Sequence, residues 1–219
     1  MKIHKAGFKS IFVTFFVLFA LLVVIHFALA KFEYIRYGLY AWGAISLFFV
    51  IRFFRYPNRT IEENPNAVYA PADGKIVIIE EVSENKFLHE NRIQLSIFMS
   101  VMNVHVNFYP ISGEVVLRDY YQGDKMVAWH PKSSELNEHA SVVIEDAQKR
   151  KVLVKQIAGA LARRIVCKAK KGDIVKQGDE LGIIKFGSRI DVLLPTNARI
   201  NVKMNEKVRA KKTVLAYFE

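Results

Sequence analysis

Lys171-Gly172-Asp173-Ile174-Val175-Lys176-Gln177-Gly178-Asp179-Glu180-Leu181-Gly182 is the stretch that decides the fold. Its apolar pairs are too short for a helical turn, and its glycines recur between them, so it reads as brief strands joined by tight turns. Asn205-Glu206-Lys207-Val208 followed by Thr213-Val214-Leu215-Ala216 is a weaker echo of the same rhythm. Working outward, short runs rich in β-branched and aromatic residues fill the upstream chain: Lys75–Ile79, Ile93–Phe98, Val104–Phe108, Gly113–Leu117, Ser141–Ile144 and Val152–Val154. After Arg59 only Ile157 to Arg164 carries a helical period. A mainly β domain is predicted over residues 57–219, entered through the proline-punctuated linker Pro57 to Pro71.

The first 56 residues differ in kind. Residues 11–30 are apolar except for Thr14 and His26, and a second apolar run covers about 37–54. Each has about the length needed to cross a bilayer core. The polar link Lys31 to Arg36 between them makes a hydrophobic helical hairpin the expectation. Lys2, Lys5 and Lys9 precede the first run, and Arg52, Arg55 and Arg59 follow the second. Basic outer ends put both, and the β domain after them, on the cytoplasmic face of the cell membrane. A hairpin that only dips into one leaflet satisfies the same pattern.

The 219 residues are 52% hydrophobic with a net charge of +11, so an acidic partner is expected. Beside a membrane hairpin, anionic lipid fits that charge. Nucleic acid is the usual partner for such a charge and stands open on charge alone, but no aromatic residues interleave with the basic ones as a stacking platform, so none is expected. The single cysteine, Cys167, excludes an internal disulfide and a multi-cysteine metal site, and its apolar neighbours make it a small core residue. The glycine rhythm resembles the flattened barrel-sandwich of biotinyl and lipoyl carrier domains, without a lysine at a hairpin tip that a carrier would modify.

Four segments carry chemistry. Ala70-Pro71-Ala72-Asp73-Gly74-Lys75 sets an aspartate in a turn before a strand. In Asn103-Val104-His105-Val106-Asn107, strand alternation would put His105 on one polar face with Asn103 and Asn107. Gln156-Ile157-Ala158-Gly159-Ala160-Leu161-Ala162-Arg163-Arg164-Ile165 ends in two arginines, whose planar forks suit phosphate or carboxylate. Ile184-Lys185-Phe186-Gly187-Ser188-Arg189-Ile190-Asp191 sets a serine hydroxyl after a carbonyl that no side chain shields. Alone, each has an ordinary reading: an Asx-turn, a structural histidine, an exposed basic pair, a β-bulge.

Together, in this order, they resemble the pyruvoyl-dependent phosphatidylserine decarboxylases. Phe186-Gly187-Ser188-Arg189 is similar to the family's self-cleavage motif, and the likeness runs from about Pro65 to the C-terminus. The short length and the lone histidine of Val104-His105-Val106-Asn107 resemble the compact branch; longer relatives carry a second histidine where this chain has Phe108. The resemblance implies that Ser188, with His105 as base and Asp73 orienting it, cleaves the chain between Gly187 and Ser188. That gives a β chain of residues 1–187 and an α chain of 188–219, held as a heterodimer that is free to oligomerise further. It also implies a pyruvoyl group derived from Ser188, with no external cofactor and no metal. That group would form a Schiff base with phosphatidylserine in the bilayer and yield phosphatidylethanolamine for phospholipid biosynthesis. Arg163 and Arg164 would contact the substrate's phosphate or carboxylate. Two rivals stand beside this reading: the same chemistry on an ether-linked serine phospholipid, and a non-enzymatic membrane-anchored adaptor, which predicts an intact chain.

Overall fold

The computed structural model describes residues 2–123, 137–159, 164–185 and 188–219. The chain divides into two compact units, Met1–Asn58 and Arg59–Glu219.

In the first unit the two-residue strands β1 (Lys2–Ile3) and β2 (Arg55–Tyr56) pair antiparallel and close the base of a helical hairpin. Its arms are α1 (Phe8–Ala28) and α2 (Glu33–Phe53), each 21 residues, or about 31 Å at the α-helical rise. The arms meet where a Cβ on Gly43 would lie 3.2 Å from Leu22, and the His26 ring nitrogen meets the Tyr40 hydroxyl at 2.8 Å. His26 is thus a packing residue between helices. Apolar side chains such as Phe12 and Phe27 point outward, 66% and 76% exposed. Both helices are long and apolar enough to cross a membrane.

The second unit is built of strands. The first are β3 (Ala67–Tyr69), β4 (Gly74–Glu84), β5 (Glu90–Met99), β6 (Val106–Phe108), β7 (Gly113–Tyr121), β8 (His139–Glu145) and β9 (Lys151–Ala158). There follow β10 (Ile165–Cys167), β11 (Ile174–Val175), β12 (Glu180–Ile184), β13 (Ser188–Pro195), β14 (Arg199–Ile200), β15 (Lys207–Val208) and β16 (Val214–Tyr217). Eight form one curled antiparallel sheet in the order β11-β7-β8-β9-β13-β5-β4-β15. Two three-stranded sheets, β10-β12-β6 and β14-β16-β3, complete the unit. The mainly β expectation, with its preceding apolar hairpin, holds.

Two local expectations do not. The helical period over Ile157 to Arg164 gives way to strand, since Ile157 and Ala158 end β9 and Ile165 begins β10; residues 160–163 lie outside the described residues. The strand expected over Val104–Phe108 starts only at Val106.

The glycine rhythm has a double cause. Gly172 and Gly178 adopt φ of +89° and +84° in turns, where a side chain would be strained. Gly182, expected in a turn, lies inside β12, where an added Cβ would come within 2.0 Å of the Val166 carbonyl on β10. Strand alternation on β13 then sorts the core. Ile190, Val192 and Leu194 enter the main cluster with Met99, Ala158 and Leu215, while Leu193 packs on the other face with Leu153 and Val143.

Candidate active site

Ser188 opens β13, the strand flanked by β9 and β5. Its Cα partners are Met99 on β5 and Ala158 on β9, and it is fully buried. Alternation gives it the main-core face, opposite to Arg189 and Asp191. Those two form a fully buried ion pair along the far face of the same strand, with Arg189 Nε 2.9 Å from the Asp191 carboxylate. Among the described residues the one hydrogen-bonding partner of the Ser188 hydroxyl is the Met99 sulfur, at 3.9 Å. Sulfur is a weak acceptor, which leaves the oxygen available as a nucleophile. Phe186 and Gly187 lie outside the described residues.

A polar cluster surrounds that hydroxyl inside the core. The Asn107 amide donates to the same Met99 sulfur at 3.6 Å, and Gln156 Nε2 donates to Asn107 Oδ1 at 2.8 Å. Asn107 and Gln156 are both fully buried, and Gln156 Oε1 has no hydrogen-bond partner among the described residues. The Asn137 amide donates to the Ala158 carbonyl at 2.7 Å, pinning the end of β9 beside Ser188. Burying such a set is costly wherever a member lacks a partner, as Gln156 Oε1 does among the described residues.

His105 is fully buried just before β6, which pairs with β12. The Ile184 N–H donates to its carbonyl at 3.3 Å, tying it to the segment that leads into Ser188. Its Nδ1 lies 3.1 Å from the Asn103 carbonyl. A carbonyl only accepts, so Nδ1 donates and the neutral ring carries its lone pair on Nε2, the arrangement a general base requires. The expected shared face of Asn103, His105 and Asn107 is not formed. Asn103 sits in a turn, its side chain accepting from the Ser100 amide at 2.9 Å and the Ser100 hydroxyl at 2.7 Å, while Asn107 alone is on β6.

Asp73 is buried in the turn before β4, and its hydrogen bonds run elsewhere than to His105. Both carboxylate oxygens take the Arg59 guanidinium, at 2.5 and 2.8 Å, and one also accepts the Ala210 N–H at 2.9 Å. The hydrogen bond with Asp73 raises the pKa of Arg59 further, against the opposing pull of burial. The acceptor on His105 Nδ1 is therefore a backbone carbonyl, and Asp73 fastens the turn that begins at Ala210, after β15, to the body of the unit. Arg164 is exposed and shares an open cavity with Arg118 and Lys185, whose N–H donates to the Arg164 carbonyl at 3.2 Å. Arg163 lies outside the described residues. Cys167 packs against the core, where burial pushes its thiol pKa up and keeps it protonated.

A sequence model of the family described as phosphatidylserine decarboxylase matches residues 47–216. The protein of Cytophaga hutchinsonii named phosphatidylserine decarboxylase proenzyme is 44% identical over 218 residues, covering 100% of this chain and 99% of its own. Relatives of the same name from Amoebophilus asiaticus and Porphyromonas gingivalis are each 42% identical, covering 99% of this chain and 96% and 98% of their own. The chain belongs to the phosphatidylserine decarboxylase family. It is accordingly an enzyme, a decarboxylase, and its short form fits the compact members.

The sequence motifs contain most members of this site but not their connections. Arg59 reads in sequence as a basic flank of the hairpin, and nothing local marks it as the partner of Asp73. The Asn103 carbonyl is equally silent in sequence. Gln156 and Asn107 stood in the quoted motifs, and their meeting depends on the pairing of separate sheets.

Proposed function

We propose that the chain is a proenzyme that cleaves itself between Gly187 and Ser188 and then decarboxylates phosphatidylserine to phosphatidylethanolamine, as a step of phospholipid biosynthesis. The observation that carries this is Ser188 itself: a fully buried serine heading a central strand, its hydroxyl held among the described residues by a sulfur at 3.9 Å.

In maturation, His105 Nε2 takes the hydroxyl proton as Ser188 Oγ attacks the Gly187 carbonyl. The new C–O bond replaces the C–N bond, giving an ester and a free amine on residue 188. Loss of the Ser188 Cα proton then expels the ester oxygen with the 1–187 chain as its new carboxylate. The dehydroalanine left behind takes up one water and releases ammonia, leaving the pyruvoyl group at the head of 188–219. Break of the chain here need not loosen it, because β13 pairs along its whole length with β5 and for six residues with β9.

The buried, polar-lined position of residue 188 fits such a group: among the described residues Gln156 Oε1 is buried without a hydrogen-bond partner, and the position-188 oxygen has only the Met99 sulfur. Once made, a pyruvoyl group supplies a carbonyl that accepts a substrate amine and draws off the electrons released with carbon dioxide. His105 holds and returns the proton at the substrate carbon, Asn107 and Gln156 orient the amine side, and burial keeps water out. Asp73 holds Arg59 and the Ala210 N–H in place, while the Asn103 carbonyl orients His105. Arg164, with Arg118 and Lys185 beside it, is an anion contact; Arg163, outside the described residues, is assigned the same role from the sequence motif alone. The hairpin holds the enzyme in the cell membrane with the β unit on the cytoplasmic side, where substrate is met in the bilayer.

The test is the intact mass under denaturing conditions of the wild type, Ser188→Ala and His105→Ala. Wild type is expected as two chains, the smaller lacking a free amine and carrying a reactive carbonyl. Ser188→Ala is expected as one chain, and His105→Ala matures at least about a hundredfold more slowly. A folded wild type that stays whole after incubation with anionic membranes overturns the reading in favour of an adaptor.

A further inference from the structure

On the edge of the eight-stranded sheet a cavity of about 590 Å³ is lined by Arg59, Lys75, Ser100, Asn103, Lys207 and Arg209, among others. Its charge is unbalanced. The carboxylate in its wall, Asp73, is already saturated by Arg59 and the Ala210 N–H. Among the described residues no carboxylate pairs with Lys75, Lys207 or Arg209. Moreover, β15 pairs with β4 so that Lys207 is the direct Cα partner of Lys75. Like charges opposite each other on neighbouring strands destabilise a sheet. A cluster of cations around one hollow, with Ser100 and Asn103 contributing polar groups, raises the local concentration of anions.

The cavity also adjoins the chemistry. Asn103 in its wall supplies the carbonyl to His105 Nδ1. Phe98 in its wall is the Cα partner of Lys75 and Arg189, so this wall lies on the sheet face opposite to Ser188, and the cavity meets the site through the 100–103 turn that leads to His105. Two of its cations, Lys207 and Arg209, lie on the 188–219 segment and the other two on the segment before it, so both chains of a matured enzyme would contribute.

We propose that this cavity binds the phosphodiester of the serine phospholipid headgroup, with Lys75, Lys207 and Arg209 neutralising its single negative charge and Arg59 completing the wall. The assignment rests on the functional reading above and adds to it the subsite that sets headgroup affinity. It leaves the separate Arg164 cavity, where Glu138 bonds to the lining Tyr120 at 2.6 Å, with less uncompensated charge for a phosphate.

The experiment compares two full-length double variants with equal loss of charge from the same segment. Lys207→Gln/Arg209→Gln removes cavity cations; Lys203→Gln/Lys212→Gln removes exposed cations outside its lining. Both are checked by mass for cleavage into two chains, which reports folding, and assayed on phosphatidylserine in neutral detergent micelles. The cavity variant is expected to raise KM by about tenfold over the control variant, the equivalent of one lost charge-assisted contact. Uncleaved Ser188→Ala, which cannot turn over, is also titrated with glycerophosphoserine by phosphorus NMR. Binding is expected, and its loss on adding Lys207→Gln/Arg209→Gln. Equal KM for the two double variants overturns the subsite, as does displacement of glycerophosphoserine by an equal concentration of inorganic phosphate. A wild type that never splits, or splits and releases no carbon dioxide from phosphatidylserine, overturns the functional reading instead.

Discussion

His139 shows how burial alone turns a side chain into a pH-sensitive part. It heads β8 buried, with Nδ1 donating to the Asn137 carbonyl at 2.8 Å, on the segment whose Asn137 amide pins Ala158 beside Ser188. Burial pushes its pKa down, and the bond to Asn137 only partly offsets this. In the unfolded chain the ring takes a proton at about pH 6.5; in the folded chain it stays neutral to lower pH. The unfolded state therefore binds more protons as pH falls, and the contribution to stability, complete above that value, is lost on acidification through the lowered folded pKa. His139→Gln is expected to flatten the decline of Tm between neutral and mildly acidic pH, and an unchanged decline would assign it to other groups. The same scale holds the site's least legible feature. His105 was recognisable as a base from its motif, but the partner on its Nδ1 is a main-chain carbonyl, which has no residue letter.

At the scale of elements, the position of β13 matters most. An edge strand cut at its first residue would have one neighbour to hold it; β13 has two, β9 and β5. Gly182 governs the approach to that strand through β12. An alanine there would put its Cβ within 2.0 Å of the Val166 carbonyl and force β10 and β12 apart. Gly182→Ala is expected to cost about 1–3 kcal/mol, the usual penalty for overpacking, read as a lower Tm. A Tm equal to wild type would show that the pair relaxes freely. Most strands could be seen in sequence because β-branched runs between turns are a local signal. The lost residues of β6 and the false helical period after Ile157 were decided by partners far along the chain, which outweigh local propensity.

The whole molecule joins two units with different solvents. The first, with its outward phenylalanines, has little reason to be stable in water, and the second has its own continuous core. Full-length protein in a membrane pellet is therefore expected to resist washing with salt at about 1 M, which shortens electrostatic reach to about 3 Å, and to come away only with detergent. Release by salt would mean that the charge of +11, not the hairpin, holds it there.

Sequence alone determined the apolar hairpin, the β character of the rest and the Gly187-Ser188 motif, because each is written in neighbouring residues. The tertiary structure decided which groups meet. Asp73 reaches Ala210 across 137 positions, Gln156 reaches Asn107 across 49, and Lys75 faces Lys207 only because β15 returns to the edge of β4. Pairing register between distant strands sets those encounters, and a one-residue slip would send each side chain to the opposite face.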